Sequence, residues 1–159
     1  MKPKILKAAL ALSLTVVLAL LALGRSINDS RDSDRDPITG TWNCVVPPAG
    51  GFPQVNVIKN IHADGTMIEL DNAAPPSQES PTVGNWIRTG HRTYTLTLEQ
   101  FSFDAAGTFV GTFHYTNPLT MAPSQNSMDG TFTFTLVDVN GNPLASGDGS
   151  VSCTGLGSN

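Results

Sequence analysis

Between residues 93 and 139, aromatic and aliphatic side chains alternate with polar ones. Phe113 and Tyr115 share one parity, Phe132 and Phe134 share the corresponding parity further along, and most of the positions between them are threonine. Because successive side chains of a β-strand point to opposite faces, this pattern predicts strands with one buried and one solvated face. The same pattern before and after this stretch extends the prediction to eight strands, at 38–46, 54–62, 66–71, 84–89, 93–103, 108–116, 131–139 and 144–154.

The connections predict which strands are neighbours. Asp64-Gly65, the four residues from Asp104 to Gly107, and Asn140-Gly141 are typical of tight hairpin turns, so strands that are adjacent in sequence should pair in space. Longer loops are predicted at 47–53, 72–83 and 117–129, which are rich in Pro, Asn or Ser. Phe101 and Phe103 have the wrong parity in their strand, and a bulge near Glu99-Gln100 would restore it.

The N-terminal segment has the features of an export signal. Three lysines precede an uncharged run at 8–23, and the small residues Ala22 and Gly24 suit cleavage near Gly24. We therefore predict a signal peptide at 1–24, with an uncleaved anchor as the alternative, and a secreted or periplasmic location. Residues 25–37 are rich in Asp, Ser and Arg and are predicted to form a disordered linker.

Two cysteines lie near opposite ends of the remaining chain. In an exported protein Cys44 and Cys153 are expected to form a disulfide, with two separate buried thiols as the alternative. This bond would join the first strand to the last, which are neighbours when a meander closes. We predict one all-β domain at 38–155, an eight-stranded antiparallel up-and-down β-barrel followed by a short tail at 156–159. A two-sheet β-sandwich could also bring the cysteines together.

Gly40-Thr41-Trp42 opens the first predicted strand, and alternating strands with a terminal disulfide follow. In this layout residues 38–155 resemble the calycin superfamily, the lipocalin-like and related small β-barrels. The sequence predicts no C-terminal helix of the kind found in typical lipocalins, and in this respect it resembles uncharacterised secreted bacterial barrel proteins more than typical lipocalins. The resemblance implies a small barrel and gives no activity.

Charge and motifs narrow the possible functions. Removal of the three lysines in the signal peptide would lower the net charge from −4 by three units, to −7, which disfavours nucleic acid and anionic membrane surfaces as partners. No standard catalytic, phosphate-binding, cofactor-binding or metal-binding motif is present, so no catalytic residue, cofactor or metal ligand is predicted. Glu69 and Glu99 lie within strands, where an inward orientation could suit acid-base chemistry, but neither has an identifiable partner.

The favoured function is binding of a small apolar or aromatic ligand inside the barrel. One alternative is a surface or structural interaction protein with a packed barrel, and another is a cofactor-independent cyclase resembling allene oxide cyclase, in which an apolar cavity shapes ring closure. In a meander, the loops at 47–53 and 72–83 lie at the same end, so ligand is expected to enter beside Phe52. The predicted ligand-binding residues are Trp42, Phe52, Trp86, Tyr94, Phe113, Tyr115 and Phe134.

Overall fold

The structure is a computed structural model, and it describes residues 35–49 and 53–157. Among these residues each strand pairs antiparallel with the next, and the first also pairs with the last, so the sheet is a closed barrel. The predicted all-β up-and-down barrel is confirmed, and the sandwich alternative is wrong. The strands are β1 Gly40–Val46, β2 Val55–Ile61, β3 Thr66–Asp71, β4 Thr82–Arg88, β5 Thr93–Phe103, β6 Phe109–Met121, β7 Ser127–Val137 and β8 Pro143–Gly155.

The chain divides into two units, Met1–Asp36 and Pro37–Asn159, and the barrel belongs to the second. The predicted signal peptide at 1–24 and most of the predicted linker at 25–37 lie outside the described residues. Within the part that the structure describes, no helix is long and apolar enough to cross a membrane.

The long loop predicted at 117–129 is wrong. β6 continues to Met121, β7 begins at Ser127, and only a short turn joins them. The inward alternation explains the longer strands, since Leu119, Met121 and Met128 are all buried in the core. Pro118 interrupts this pattern in the sequence, but it occupies an exposed outward position.

The bulge predicted near Glu99-Gln100 is also wrong. The register between β5 and β6 runs unbroken to Ser102, and the irregularity follows between Ser102 and Phe103. Gln100 therefore points inward and is buried, while Phe101 points outward and is half exposed. The Phe101 ring packs edge-to-face on Phe109, with ring centroids 5.8 Å apart, so this aromatic side chain belongs to an outer cluster.

A disulfide closes the barrel. Cys44 of β1 and Cys153 of β8 are directly opposite each other and bonded, which confirms the predicted pairing. The bond lies within a seam of four residue pairs, from Trp42↔Gly155 to Val45↔Ser152. The first and last strands are thus joined covalently as well as by backbone hydrogen bonds.

One half of the barrel interior is filled by side chains. This half adjoins the turns at 62–65, 89–92 and 122–126, and its core residues are almost inaccessible to solvent. The side chains that fill it are Ile38, Trp42, Cys44, Ile61, Met67, Tyr94, Leu96, Leu119, Met121, Met128 and Cys153. Aliphatic, sulfur-containing and aromatic groups pack together here, so this end of the barrel is closed.

Candidate functional site

The other half of the interior contains a cavity of about 250 Å³. It reaches the barrel end that carries the β1–β2 and β3–β4 connections, because Val46, Val55 and Ala73 are part of its wall. Most of the lining is apolar. The lining residues are Val46, Val55, Val57, Lys59, Glu69, Asp71, Ala73, Leu98, Phe113, Tyr115, Asn117, Phe132, Phe134 and Val151.

Three of the seven predicted ligand-binding residues line this cavity. Phe113 lies next to Tyr115 and to Phe134, with both centroid separations at 5.6 Å, so the three rings form a continuous aromatic wall. They reach this wall because the inward positions of β6 and β7 are paired, with Tyr115 opposite Phe134. Phe52 lies outside the described residues.

The other three predicted residues lie near the closed end of the barrel, outside the cavity lining. Trp42 is buried and donates its indole N–H to the Ile38 carbonyl at 2.8 Å. Trp86 donates to the His62 carbonyl, also at 2.8 Å, and packs edge-to-face on Tyr94. Both indoles are therefore held by the packed half of the barrel.

Glycines on β8 leave room for two of the cavity rings. Phe132 is paired with Gly149, and Phe134 is paired with Gly147. A Cβ atom at either glycine would come within 2.7 Å of the neighbouring ring, closer than carbon atoms normally approach. The far ends of the two phenyl rings thus lie against the backbone of β8 at these glycines, where a larger residue would leave no room for them.

A buried ion pair joins the neighbouring strands β2 and β3 on the inner face of the barrel. Lys59 and Glu69 are directly opposite each other in the register, and the lysine ammonium donates to Glu69 Oε2. The side chains are 4% and 13% exposed, respectively, so both charges are largely removed from bulk water. No partner for Glu69 was predicted from the sequence, and Lys59 was not predicted to be an interior residue.

A second polar group lies on the wall formed by β5 and β6. Tyr115 donates its hydroxyl to Gln100 Oε1 at 3.0 Å, and Gln100 donates its amide to the Ser80 carbonyl at 3.2 Å. Ser80 belongs to the connection between β3 and β4. That connection is further held by backbone hydrogen bonds from Ser80 to Phe101 and from Phe103 to Gln78. It therefore forms a structured rim for the cavity.

Two carboxylates, those of Asp71 and Glu79, lie at this rim. Partial burial, followed by repulsion from Asp71, raises the pKa of Glu79 from its ordinary value of 4.5 to about 7. The pKa of the Tyr115 hydroxyl is also raised, first by burial and then by the charges of Asp71, Glu69 and Glu79. Three acidic side chains are thus close enough to Tyr115 to affect its titration. Among the described residues, Lys59 is the one basic residue that lines the cavity.

Glu99, the other carboxylate noted in the sequence, points outward. Its Oε1 lies 3.2 Å from His114 Nδ1, and both side chains are about half exposed. Such a surface pair contributes little to stability and has no access to the interior. Within residues 35–49 and 53–157, no group of three or more His, Cys, Asp or Glu side chains is placed to hold a metal ion.

Apolar side chains also form an outer patch on β2, β3 and β4. Ile58 pairs with Leu70, and Ile68 pairs with Val83, so the four side chains lie together on the outer face. Each is between 44% and 55% exposed.

Comparison of the chain with protein-family models, curated proteins and solved structures gave no match.

Proposed function

We propose that this protein binds a small, mainly apolar molecule in the open half of its barrel. The observation that carries the proposal is the combination of a filled half and an empty half within one closed barrel. Apolar side chains that surround empty space lose packing contacts, and a ligand restores them. The aromatic wall of Phe113, Tyr115 and Phe134 offers flat surfaces for such a molecule.

The size of the cavity limits the size of the ligand. Pockets for drug-sized molecules are roughly 300–1,000 Å³, and this cavity of about 250 Å³ is slightly smaller. A compound with one or two rings, or a short branched chain, is the expected occupant. A long acyl chain would have to extend out of the barrel.

We further propose that the protein acts after export. A disulfide that joins the two ends of the fold is stable in an oxidising compartment, and the N-terminal segment has the composition of a cleaved signal. The intact mass of the protein isolated from outside the cytoplasm should correspond to loss of about 24 residues and two hydrogens. A mass that includes residues 1–24 would contradict cleavage.

Ligand binding can be tested with a matched pair of substitutions on β2. Val57 is buried and lines the cavity, while its neighbour Ile58 points outward and is about half exposed. Val57→Phe should fill part of the cavity and weaken uptake of a fluorescent naphthalene probe at least about tenfold. Ile58→Phe introduces the same side chain outside the barrel and should leave uptake unchanged. Circular dichroism and thermal melting should show that both variants fold.

Two results would contradict ligand binding in the cavity. One is the absence of saturable uptake by the wild type for any apolar probe in a fluorescence titration. The other is equal weakening by Val57→Phe and Ile58→Phe, which would place the probe outside the barrel. Native mass spectrometry of protein purified from its own host provides a further measurement, since a retained compound should fit the cavity volume.

The outer patch supports a second candidate, association with another protein chain. Contiguous exposed apolar side chains are typical of interaction surfaces, and Ile68 and Leu70 both lie within this patch. If the patch mediates self-association, sedimentation velocity should detect a dimer that Ile68→Lys converts to a monomer. A wild-type chain that stays monomeric at high concentration would exclude self-association through this surface.

A further inference from the structure

The ammonium of Lys59 has more hydrogen-bond donors than its one hydrogen bond to Glu69 Oε2 uses. An ammonium carries three N–H groups. Among the described residues, only Glu69 accepts a hydrogen bond from Lys59, although the lysine side chain is only 4% exposed. A donor that is buried without an acceptor costs free energy, so the remaining N–H groups require an oxygen from water or from a ligand. Lys59 lines the cavity, and such an oxygen can therefore reach it from there.

The charges around the cavity determine what kind of oxygen suits this position. Glu69 neutralises Lys59, and Asp71 at the wall then gives the site a negative net charge, to which Glu79 at the rim adds when ionised. An anionic ligand would be repelled by these carboxylates in an environment of low dielectric constant. A cationic ammonium ligand has no lone pair with which to accept a hydrogen bond from the remaining Lys59 N–H groups, so they would stay without an acceptor. A neutral acceptor avoids both penalties.

We propose that the ligand is a neutral apolar molecule with one hydrogen-bond-accepting oxygen, a carbonyl or hydroxyl, which accepts from Lys59 while the apolar body lies against the aromatic wall. This inference rests on the proposed function and specifies its ligand class. Lys59 is opposite Trp42 and deeper in the barrel than Val57 and Val55. The oxygen-bearing end of the ligand therefore enters first and the apolar body occupies the outer part of the cavity.

The buried pair can be replaced as a unit. Exchanging a buried ion pair for apolar residues of similar volume commonly preserves folding, whereas removal of one partner leaves an uncompensated charge. The double variant Lys59→Met/Glu69→Leu removes the donors and keeps the interior filled to a similar extent. The matched control is Glu99→Gln/His114→Gln, which removes the cross-strand pair on the outer face of β5 and β6.

Four naphthalene compounds with different substituents at one position provide the probes. They are 2-ethylnaphthalene, 2-acetylnaphthalene, 2-naphthoate and 2-(2-naphthyl)ethylamine. For the wild type we expect the acetyl compound to bind tightest and naphthoate to bind weakest. In the double variant, the preference for acetyl over ethyl should fall about tenfold or more, because a hydrogen bond from a charged donor is lost. The control variant should keep the wild-type preference.

The outcomes separate this inference from the proposed function. If none of the four compounds binds saturably, binding in the cavity itself is wrong. If the compounds bind but naphthoate or the amine is tightest, the neutral-acceptor inference is wrong and binding in the cavity stands. An unchanged acetyl preference in the folded double variant would likewise overturn it. If that variant does not fold, the ranking of the four compounds on the wild type decides the question.

Discussion

The Lys59–Glu69 pair places two charged side chains where an apolar pair would pack more simply. Desolvation of a buried ion pair commonly costs as much as the pair gains, while the loss of one partner is strongly destabilising. We therefore expect Lys59→Met alone to lower the free energy of unfolding by about 3–5 kcal/mol. Lys59→Met/Glu69→Leu should be near wild type or above it. Urea denaturation measures the free energy of unfolding of both variants. If Lys59→Met is as stable as the double variant, Glu69 is not left buried and charged.

Glu79 should make stability depend on pH. The pKa of the Glu79 carboxyl is raised from its ordinary value of 4.5, which applies to the unfolded chain, to about 7 in the folded protein. The folded state therefore binds the proton more tightly than the unfolded state. This contribution favours folding at low pH and is lost as pH rises from about 4.5 through 7. The melting temperature of wild type should therefore fall across this window relative to that of Glu79→Gln.

The matched control for this pH series is Asp148→Asn, which alters an exposed carboxylate on β8 away from the rim. It should melt with the same pH dependence as the wild type. If the melting temperatures of wild type and Glu79→Gln change in parallel between pH 4.5 and 8, the pKa of Glu79 is not raised in the folded protein. Among the described residues, Glu79 interacts with Asp71 on β3, Gln100 on β5, Tyr115 on β6 and the backbone N–H of Ala74 in the β3–β4 connection.

Part of the interior polar site could be derived from the sequence. The Asp64-Gly65 turn was recognised, so β2 and β3 could be paired from the sequence, and the observed register, centred on Asp64, places residue 59 opposite residue 69. Both residues also have the inward parity, because Ile61 and Met67 are buried. The contact of Tyr115 with Gln100 could not be found this way, since the parity of β5 was misassigned after Leu98. The effect of Asp71 on Glu79 depends on how the β3–β4 connection folds, which local patterns do not specify.

Among the strands, predicted bounds agree where the turn chemistry is clear. β3 and β5 begin and end where the sequence predicts, and both border a tight turn. The predicted β6 and β7 were too short, because a loop was predicted at 117–129. Asn117, Pro118 and the Ser- and Asn-containing turn at 122–126 together have the composition of a single loop. Burial of Leu119 and Met128 outweighs that local composition. Tertiary packing therefore determines the length of these strands, and composition alone does not.

The packed and hollow parts of the strands should respond differently to truncation. Leu96 on β5 is fully buried in the filled half, so Leu96→Ala should destabilise by about 2–5 kcal/mol. Phe134 on β7 is partly buried and already faces empty space, so Phe134→Ala should cost less, below about 2 kcal/mol. Thr133→Ala on the outer face should be close to neutral. Urea titrations of the three variants give these differences, and equal losses for Leu96→Ala and Phe134→Ala would show that the cavity is filled in solution.

For the molecule as a whole, the sequence predicted a closed barrel but not how its interior is divided. Aromatic residues on inward positions were predicted to line a cavity together, yet Trp42 and Tyr94 fill the closed end while Phe113 and Phe134 border the open one. The difference arises from position along the strands and from the small residues opposite the rings. Gly147 and Gly149 let the phenyl groups lie against the wall, and this depends on the register between β7 and β8.

The disulfide should stabilise the whole barrel with little influence on the cavity. It closes a loop of 109 residues, and it lies beside the packed half, with neither cysteine in the cavity lining. In the chain-entropy description such a loop contributes at most roughly 4–5 kcal/mol. Cys44→Ala/Cys153→Ala should therefore unfold at a clearly lower urea concentration. Below its unfolding transition, the variant should bind a naphthalene probe within about threefold of wild type, because the β1–β8 backbone pairing remains. Loss of probe binding in a variant that is still fully folded would show that the covalent seam is needed to hold the cavity open.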